Sequence, residues 1–329
     1  MKLSWIKIHN KKYGGSIYYQ RVRDFLKKKL DFKEIVIGPE KMYIRYLKPL
    51  VWFFQILNIK EKSDIWVRDS FMTVALSVFN KQKGKNIALI HHIDGSVFPL
   101  FIRPIFFIIE KIFYLELKKA DVVVAVSEYW KNCFLKKGCK KVVKIYNSLD
   151  INSFEFSQEE IYQFRKKYGI LDKPIVYIGN CQRPKGVVEA YNVLKDLDVQ
   201  LVTSGEEQVK IPAKNLNLEY REYLCLLRSA SVVVTMSKFK EGWCLTAHEA
   251  MLCKTPVIGS GLGGMKELLQ GGKQIVCGDF NKLKERVEFL LKNNELREKM
   301  GLDGFNYAKN FTTERFEREW GELINTFRT

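Results

Sequence analysis

Disulfide chemistry has little to work with in this chain. Its seven cysteines (133, 139, 181, 225, 244, 253 and 277) are odd in number and include no C-x-x-C pair. That spacing excludes a disulfide framework or a cysteine zinc site and leaves reduced core or loop thiols. No cluster of His, Cys, Asp or Glu has metal-ligand spacing, so neither a metal nor an organic cofactor is expected. A leader pattern is missing as well, because Met1 to Asn10 (MKLSWIKIHN) reads as an alternating strand, which makes the cytoplasm the expected compartment. The nearest approach to a spanning helix is Val97 to Leu117 (VFPLFIRPIFFIIEKIFYLEL). It carries Arg103, Pro104, Glu110 and Lys111 and breaks into short runs, so an amphipathic surface helix is expected there.

Acidic residues are short in one half only. Residues 1–150 hold 29 Lys+Arg against 13 Asp+Glu, a net +16, whereas the remainder holds 26 against 24, a net +2. A field of that sign suits nucleic acid, an anionic membrane surface or a phosphorylated lipid. Lys27-Lys28-Lys29 is the densest basic run, yet no RNA- or DNA-binding motif accompanies it. A basic nucleic-acid-binding protein therefore stands as an alternative reading and nucleic acid is not an expected partner.

What the chain does have is length for two domains, 329 residues with 47 % apolar content, and a steady alternation of strand and helix. A strand at 3–8 leads through HNKKYGGS into a helix at 16–29, which puts Gly14-Gly15 in a tight turn where backbone can approach an anion or simply reverse. Strands at 34–37, 64–67, 86–90, 122–126 and 142–145 follow, with helices at 41–57 and 71–79, a doubly wound α/β pattern. The strand at 86–90 runs directly into His91-His92. Neighbours in an extended segment point to opposite faces, which argues against a metal there. A second series opens with a strand at 174–178, then GNCQRPKG and a helix, a strand at 200–203, a helix at 221–229 and terminal helices from Asn281.

The most informative stretch is residues 231–269, SVVVTMSKFKEGWCLTAHEAMLCKTPVIGSGLGGMKELL. It parses as a strand (231–235), a polar loop ending at Glu241-Gly242, a helix (245–253), a short strand (255–259), a glycine-rich turn and another helix. Open parallel sheets bind ligands beyond the carboxyl ends of their strands, and free N–H groups at a helix start hold phosphate. Glu249 on the helix can accept both hydroxyls of a ribose, while Glu241 in the loop can orient hydroxyls of a sugar.

This text resembles the donor-binding signature of retaining family 4 glycosyltransferases of GT-B fold, in which the run reads E-G-F-G-L, E-A-M, G-x-P-V-[IV] and G-G-x-x-E-[LI]. Cys244 stands where the second Gly is usual and Lys254 where Gly precedes Thr-Pro, so the backbone at those turns is expected to differ. Tyr146 to Asp150 resembles the family's P-N-G-[VI]-D hinge, with Ser148 for the glycine. Gly179 to Gly186 follows its G-R-x-x-x-x-K-G spacing, with Lys185 in place and Asn180 at the Arg position. Arg183 is either the missing guanidinium or a solvated surface side chain.

The resemblance implies two Rossmann-like doubly wound domains facing each other across a cleft. Residues 1–150 would form the acceptor side and 151–311 the donor side, with a helix at 312–329 crossing back to the first. It further implies metal-free transfer, with retention, from a nucleotide-linked sugar, with UDP or GDP the expected carrier; the basic first half, which binds acceptor in similar enzymes, makes a lipid-linked or surface-glycan acceptor the expected one. Glu249 would hold the ribose and Glu241 the hexose. Lys185, Arg183 and the backbone N–H groups of Gly242, Trp243, Cys244 and Leu245 would stabilise the departing diphosphate, which Gly15 would also face. His91 or His92 would touch the donor sugar, with the spacing from Gly84-Lys85 favouring His92. With the charge of the first half, this puts the protein at the inner face of the cytoplasmic membrane, peripheral rather than spanning, and leaves its oligomeric state open.

Two motifs imitate other chemistry. Gly259-Ser-Gly-Leu-Gly-Gly264 satisfies G-x-G-x-x-G after a strand and would suit an NAD-dependent oxidoreductase, but the helix after it (265–270) is too short for a dinucleotide crossover. Asp196-Leu197-Asp198 spells a metal-binding D-x-D, yet it precedes a strand, the wrong end of the sheet for a ligand.

Overall fold

A computed structural model of the chain describes residues 1–8, 14–38, 48–79, 83–95 and 103–328. The chain divides into two compact units, Met1–Asn147 with Glu314–Thr329, and Ser148–Thr313. Each is a parallel six-stranded sheet with helices between its strands.

In the first unit the elements run β1 (Lys2–Ile8), α1 (Gly14–Lys29), β2 (Asp31–Ile37), α2 (Lys48–Leu57), β3 (Ile65–Arg68), α3 (Phe71–Ala75), β4 (Lys85–Ile90), α4 (Arg103–Leu117), β5 (Val122–Ala125), α5 (Glu128–Lys136) and β6 (Val142–Lys144). The sheet order is β2-β1-β3-β4-β5-β6, with Leu3 of β1 in register with Phe32 on one side and Ile65 on the other. β3 (IWVR) and β5 (VVVA) are buried along their whole length, as strands covered on both faces must be. The strand order reverses between β1 and β3, so loops leaving their carboxyl ends diverge and open a crevice there.

Several expected elements are redrawn. The glycine pair lies in the first turn of α1 rather than ahead of it, and residues 9–13 of that turn are outside the described residues. The helix expected over 71–79 stops at Ala75 and tightens into a 3-10 turn, Leu76–Phe79. Of the basic aromatic helix, residues 41–47 are outside the described residues; of the 97–117 stretch, so are 97–102. α4 leaves Ile105, Phe107, Ile108 and Leu115 exposed, and among the described residues no helix is long and apolar enough to cross a membrane.

The second unit runs α6 (Gln158–Lys167), β7 (Ile175–Asn180), α7 (Val187–Leu194), β8 (Gln200–Ser204), β9 (Lys214–Leu216), α8 (Tyr220–Ser229), β10 (Val232–Thr235), α9 (Leu245–Leu252), β11 (Val257–Gly259), α10 (Met265–Gly271), β12 (Ile275–Val276), α11 (Leu283–Lys292) and α12 (Asn294–Ala308). Its order is β12-β11-β10-β7-β8-β9, so the reversal falls between β7 and β10. The Asp196-Leu197-Asp198 triplet sits before β8, with Asp198 exposed and paired to Lys173 at 2.5 Å.

The last helix, α13 (Thr313–Asn325), returns the chain to the first unit. Its apolar stripe buries Phe316, Trp320, Leu323 and Ile324. Trp320 Nε1 donates to Tyr18 Oη (3.3 Å), which donates to the Ile145 carbonyl (3.0 Å), tying α13 and α1 to the end of β6.

Candidate functional site

The second unit's switch point is built by two loops. After β7 the chain makes a 3-10 turn, Arg183–Lys185, closed by Gly186 at φ +74°. A Cβ on Gly186 would lie 2.2 Å from the Met236 carbonyl oxygen, so only glycine allows this approach. Lys238 N–H donates to the Pro184 carbonyl (2.9 Å) and fixes the same contact from the other loop. The result is that Lys185 Nζ donates to Glu241 Oε1 at 2.6 Å, and Ser237 Oγ donates to the same oxygen at 2.6 Å. Lys185 Nζ also lies 5.0 Å from the centre of the Phe239 ring. Burial alone would lower the Lys185 pKa, but the Glu241 carboxylate outweighs it and the net shift is upward, so the ammonium is kept.

Glu241 is held by its backbone as well. It bridges in parallel to Gly263: its N–H donates to the Leu262 carbonyl (3.2 Å) and its carbonyl accepts from Gly264 N–H (2.9 Å). Gly263 has φ +70°, and a Cβ there would sit 2.4 Å from the Glu241 carbonyl oxygen. Gly263 and Gly264, within the run that imitates a dinucleotide fingerprint, thus clamp the Glu241 loop.

Gly242, Trp243 and Cys244 lead into α9, whose first residue is Leu245. Trp243 is turned into the core, where its Nε1 donates to His248 Nδ1 (3.2 Å), leaving His248 Nε2–H to donate to the Ala308 carbonyl (3.2 Å). Cys244 adopts φ +71° and Lys254, just after α9, φ +57°. Both non-glycine residues thus take the left-handed conformation. At Lys254 the reason is a helix-ending motif in which Lys254 N–H reaches the Met251 carbonyl (3.0 Å) and Thr255 N–H the Ala250 carbonyl (2.9 Å). Burial pushes the Cys244 thiol up to about 12, with the Glu241 charge adding to it, so it stays protonated.

Glu249 lies buried on α9 and accepts from Tyr220 Oη at 3.1 Å. Tyr177 and Tyr223 stand nearby; burial raises both phenols and the Glu249 charge adds to the rise. Tyr177 Oη in turn donates to Asn180 Oδ1 (3.1 Å). Arg183 is exposed and, among the described residues, makes no side-chain hydrogen bond or ion pair.

Lys185 and Glu241 are thus brought together, with Glu249 on the helix that follows. Gly15, His91 and His92 belong to the first unit. There His91 packs edge-on against the rings of Tyr18 (5.0 Å) and Tyr19 (4.7 Å), with Nε2 sealed from solvent and unbonded. Burial lowers its pKa to about 3, assisted by its neighbour His92, which is exposed. Sequence reasoning missed Ser237, Tyr220 and Tyr177. Ser237 lay in a loop already singled out, four residues before Glu241, and a carboxylate about to be buried needs such donors. The tyrosines carry no local signal, since only the packing of α8 on β7 and α9 gathers them.

Residues 160–306 match the family model Glycosyl transferases group 1. An uncharacterized glycosyltransferase of Methanocaldococcus jannaschii is 26 % identical over 252 residues, 72 % of this chain and 67 % of that protein. Among solved structures, the sucrose-phosphate synthase of Thermosynechococcus elongatus superposes with TM-score 0.81 at 17 % identity, over 99 % of this chain and 98 % of that one. Alr3699/HepE of Anabaena, solved with UDP-glucose, gives 0.79 at 16 % identity over 99 % and 100 %. The fold is that of these structures. The chain spans between half and about two thirds of the length of the curated relatives it matches.

Proposed function

We propose that this chain, whose residues 160–306 match the glycosyl transferases of group 1 and whose fold is that of GT-B structures, moves a sugar from a nucleotide-sugar donor to a lipid-linked or surface-glycan acceptor, with retention and without a divalent metal. The observation that carries this is the second unit's switch point, where a buried carboxylate, Glu241, holds the Lys185 ammonium beside the start of the helix that bears Glu249. A diphosphate leaving the anomeric carbon gains negative charge, which Lys185 and the N–H groups of Gly242 to Leu245 are suited to stabilise. Glu249, a carboxylate beside Tyr220 and Tyr223 on α9, is of the kind that accepts from ribose hydroxyls. Glu241, already accepting from Lys185 and Ser237, orients the transferred sugar and is not a nucleophile. In the same-face reaction the anomeric carbon–phosphate bond breaks, the bond to the acceptor oxygen forms, and the acceptor proton passes to the departing diphosphate. The complex of the Anabaena protein with UDP-glucose supports a UDP-linked donor.

The oxidoreductase alternative loses ground, because the helix after its glycines, α10, is only seven residues long and Gly264, the last of them, is engaged by the Glu241 carbonyl. The test is transfer of radiolabelled sugar in EDTA. The parent should turn over, whereas Glu249→Ala and Lys185→Ala should lose at least a hundredfold, about 2.7 kcal/mol, while melting as folded proteins. Parental activity in either variant, or loss in EDTA restored by magnesium or manganese, would refute the reading.

A further inference from the structure

The first unit contains a cavity of about 280 Å3 on the helical side of its sheet, lined by Arg68, Ser77, Asn86, Glu116 and Lys119 around the small side chain of Ala88. Arg68 ends β3, in register with Ala88, and its side chain leans back toward the start of β4, where Nη1 donates to Asn86 Oδ1 at 2.5 Å. It is 8 % exposed. Among the described residues this is the one hydrogen bond its five N–H groups make, and it forms no ion pair. Glu116, 7 % exposed, is engaged by Lys119 on the next turn, so the lining carries two cations against one anion. Burial lowers the Arg68 pKa to about 10, with the Glu116 charge opposing, and the guanidinium stays charged at neutral pH.

A buried cation without a counter-charge is costly, and a guanidinium offers a planar fork that matches an oxyanion with two parallel hydrogen bonds. Ser77 Oγ already donates to the Val74 carbonyl and Asn86 Nδ2 to the Gly84 carbonyl, which leaves Arg68 and Lys119 as the donors facing the space. We propose that this cavity binds a small oxyanion, a phosphate, sulfate or carboxylate group, through the Arg68 fork and the Lys119 ammonium. The site is separate from the one that carries His91: Asn86 is the second residue of β4 and His91 follows its last, roughly 16 Å of extended chain away.

The test is the melting temperature of the parent, Arg68→Met and Lys185→Ala in sodium phosphate, sulfate or acetate against sodium chloride of equal ionic strength. At about five times the dissociation constant, phosphate should raise the parent and Lys185→Ala alike by roughly 2–4 °C and leave Arg68→Met unmoved. The acetate arm distinguishes a carboxylate site from one for tetrahedral anions. A rise that persists in Arg68→Met, disappears in Lys185→Ala, or is missing from the parent in all three salts overturns the proposal. Should Arg68→Met fail to fold, calorimetric titration of Glu116→Gln decides, because removing the cavity's carboxylate should tighten anion binding at least threefold. Unchanged or weaker binding overturns it.

Discussion

His91 lies between two tyrosine rings with its Nε2 sealed and unbonded, so the fold holds the neutral imidazole. Its folded pKa near 3 lies below the unfolded value of 6.5, so below pH 6.5 the unfolded chain binds a proton that the folded chain does not. Stability from this group therefore falls as pH drops through 6.5, by about 2 kcal/mol at pH 5. Asp69, raised by burial to about 6, acts in the opposite sense, so the quantity to measure is a difference. Urea unfolding at pH 5 and 7 should show that His91→Gln loses less stability on acidification than the parent; an equal loss would place the imidazole in solvent. A single strained dihedral gives a second prediction. Lys254 occupies a left-handed position that costs a side chain roughly 1–2 kcal/mol and a β-branched one more. Melting temperatures should rank Lys254→Gly at or above the parent, and the parent above Lys254→Val. At this scale the sequence was partly legible. The meeting of Lys185 with Glu241 was foreshadowed by local motifs, whereas the enclosure of His91 by Tyr18 and Tyr19 depends on α1 and cannot be counted along the chain, which offered only the spacing from Gly84-Lys85.

Among the elements, long apolar runs such as VVVA and IWVR read directly as strands. β9 and β12, three and two residues long, were not read, since stretches that short carry no period and exist by pairing with β8 and β11. The split of the 71–79 helix was hidden too: Ser70 caps its start through Thr73, and the tightening at Leu76 follows from packing on α2 and α4. The glycine-rich segment after β11 is where pattern misleads most, because its spacing fits a fingerprint while Gly263 and Gly264 within it contact Glu241. Gly263→Ala must therefore displace Glu241: the conformation costs about 1–2 kcal/mol and the Cβ meets backbone rather than a movable side chain. Transfer should fall at least tenfold. Gly278→Ala, where a Cβ meets nothing within 4 Å, is the control and should match the parent in rate and melting. A Gly263→Ala enzyme of parental rate would show that the clamp does not position Glu241.

For the whole molecule, two parallel units were legible from the repeated strand–helix period, and so was the charge, +16 of it within residues 1–150. What sequence alone left undecided was whether the apolar residues of the basic segments are core or surface. Within the first unit α2 and α4 both pack against the 3-10 turn Leu76–Phe79. Their outer sides expose Phe54 and Leu57, and Ile105, Phe107, Ile108 and Leu115. Lys111, stacked over Phe107 at 4.6 Å, and Lys118 border the second group. A helix that is apolar on both its inner and outer faces has a second apolar partner, and a basic rim suits an anionic leaflet. We propose that this face meets the surface of a membrane. Residues 41–47 of the helix expected over 41–57 lie outside the described residues, so the test is placed on α4. Each Lys or Arg near an anionic leaflet adds about 1 kcal/mol, so Lys111→Glu with Lys118→Glu should weaken binding about thirtyfold or more in vesicle sedimentation. Ile108→Asp should weaken it at any salt, since it removes insertion rather than charge. Parental binding should decline as salt rises. Equal sedimentation with neutral and anionic vesicles, or none with either, would remove the electrostatic membrane contact and leave a soluble acceptor as the substrate to seek.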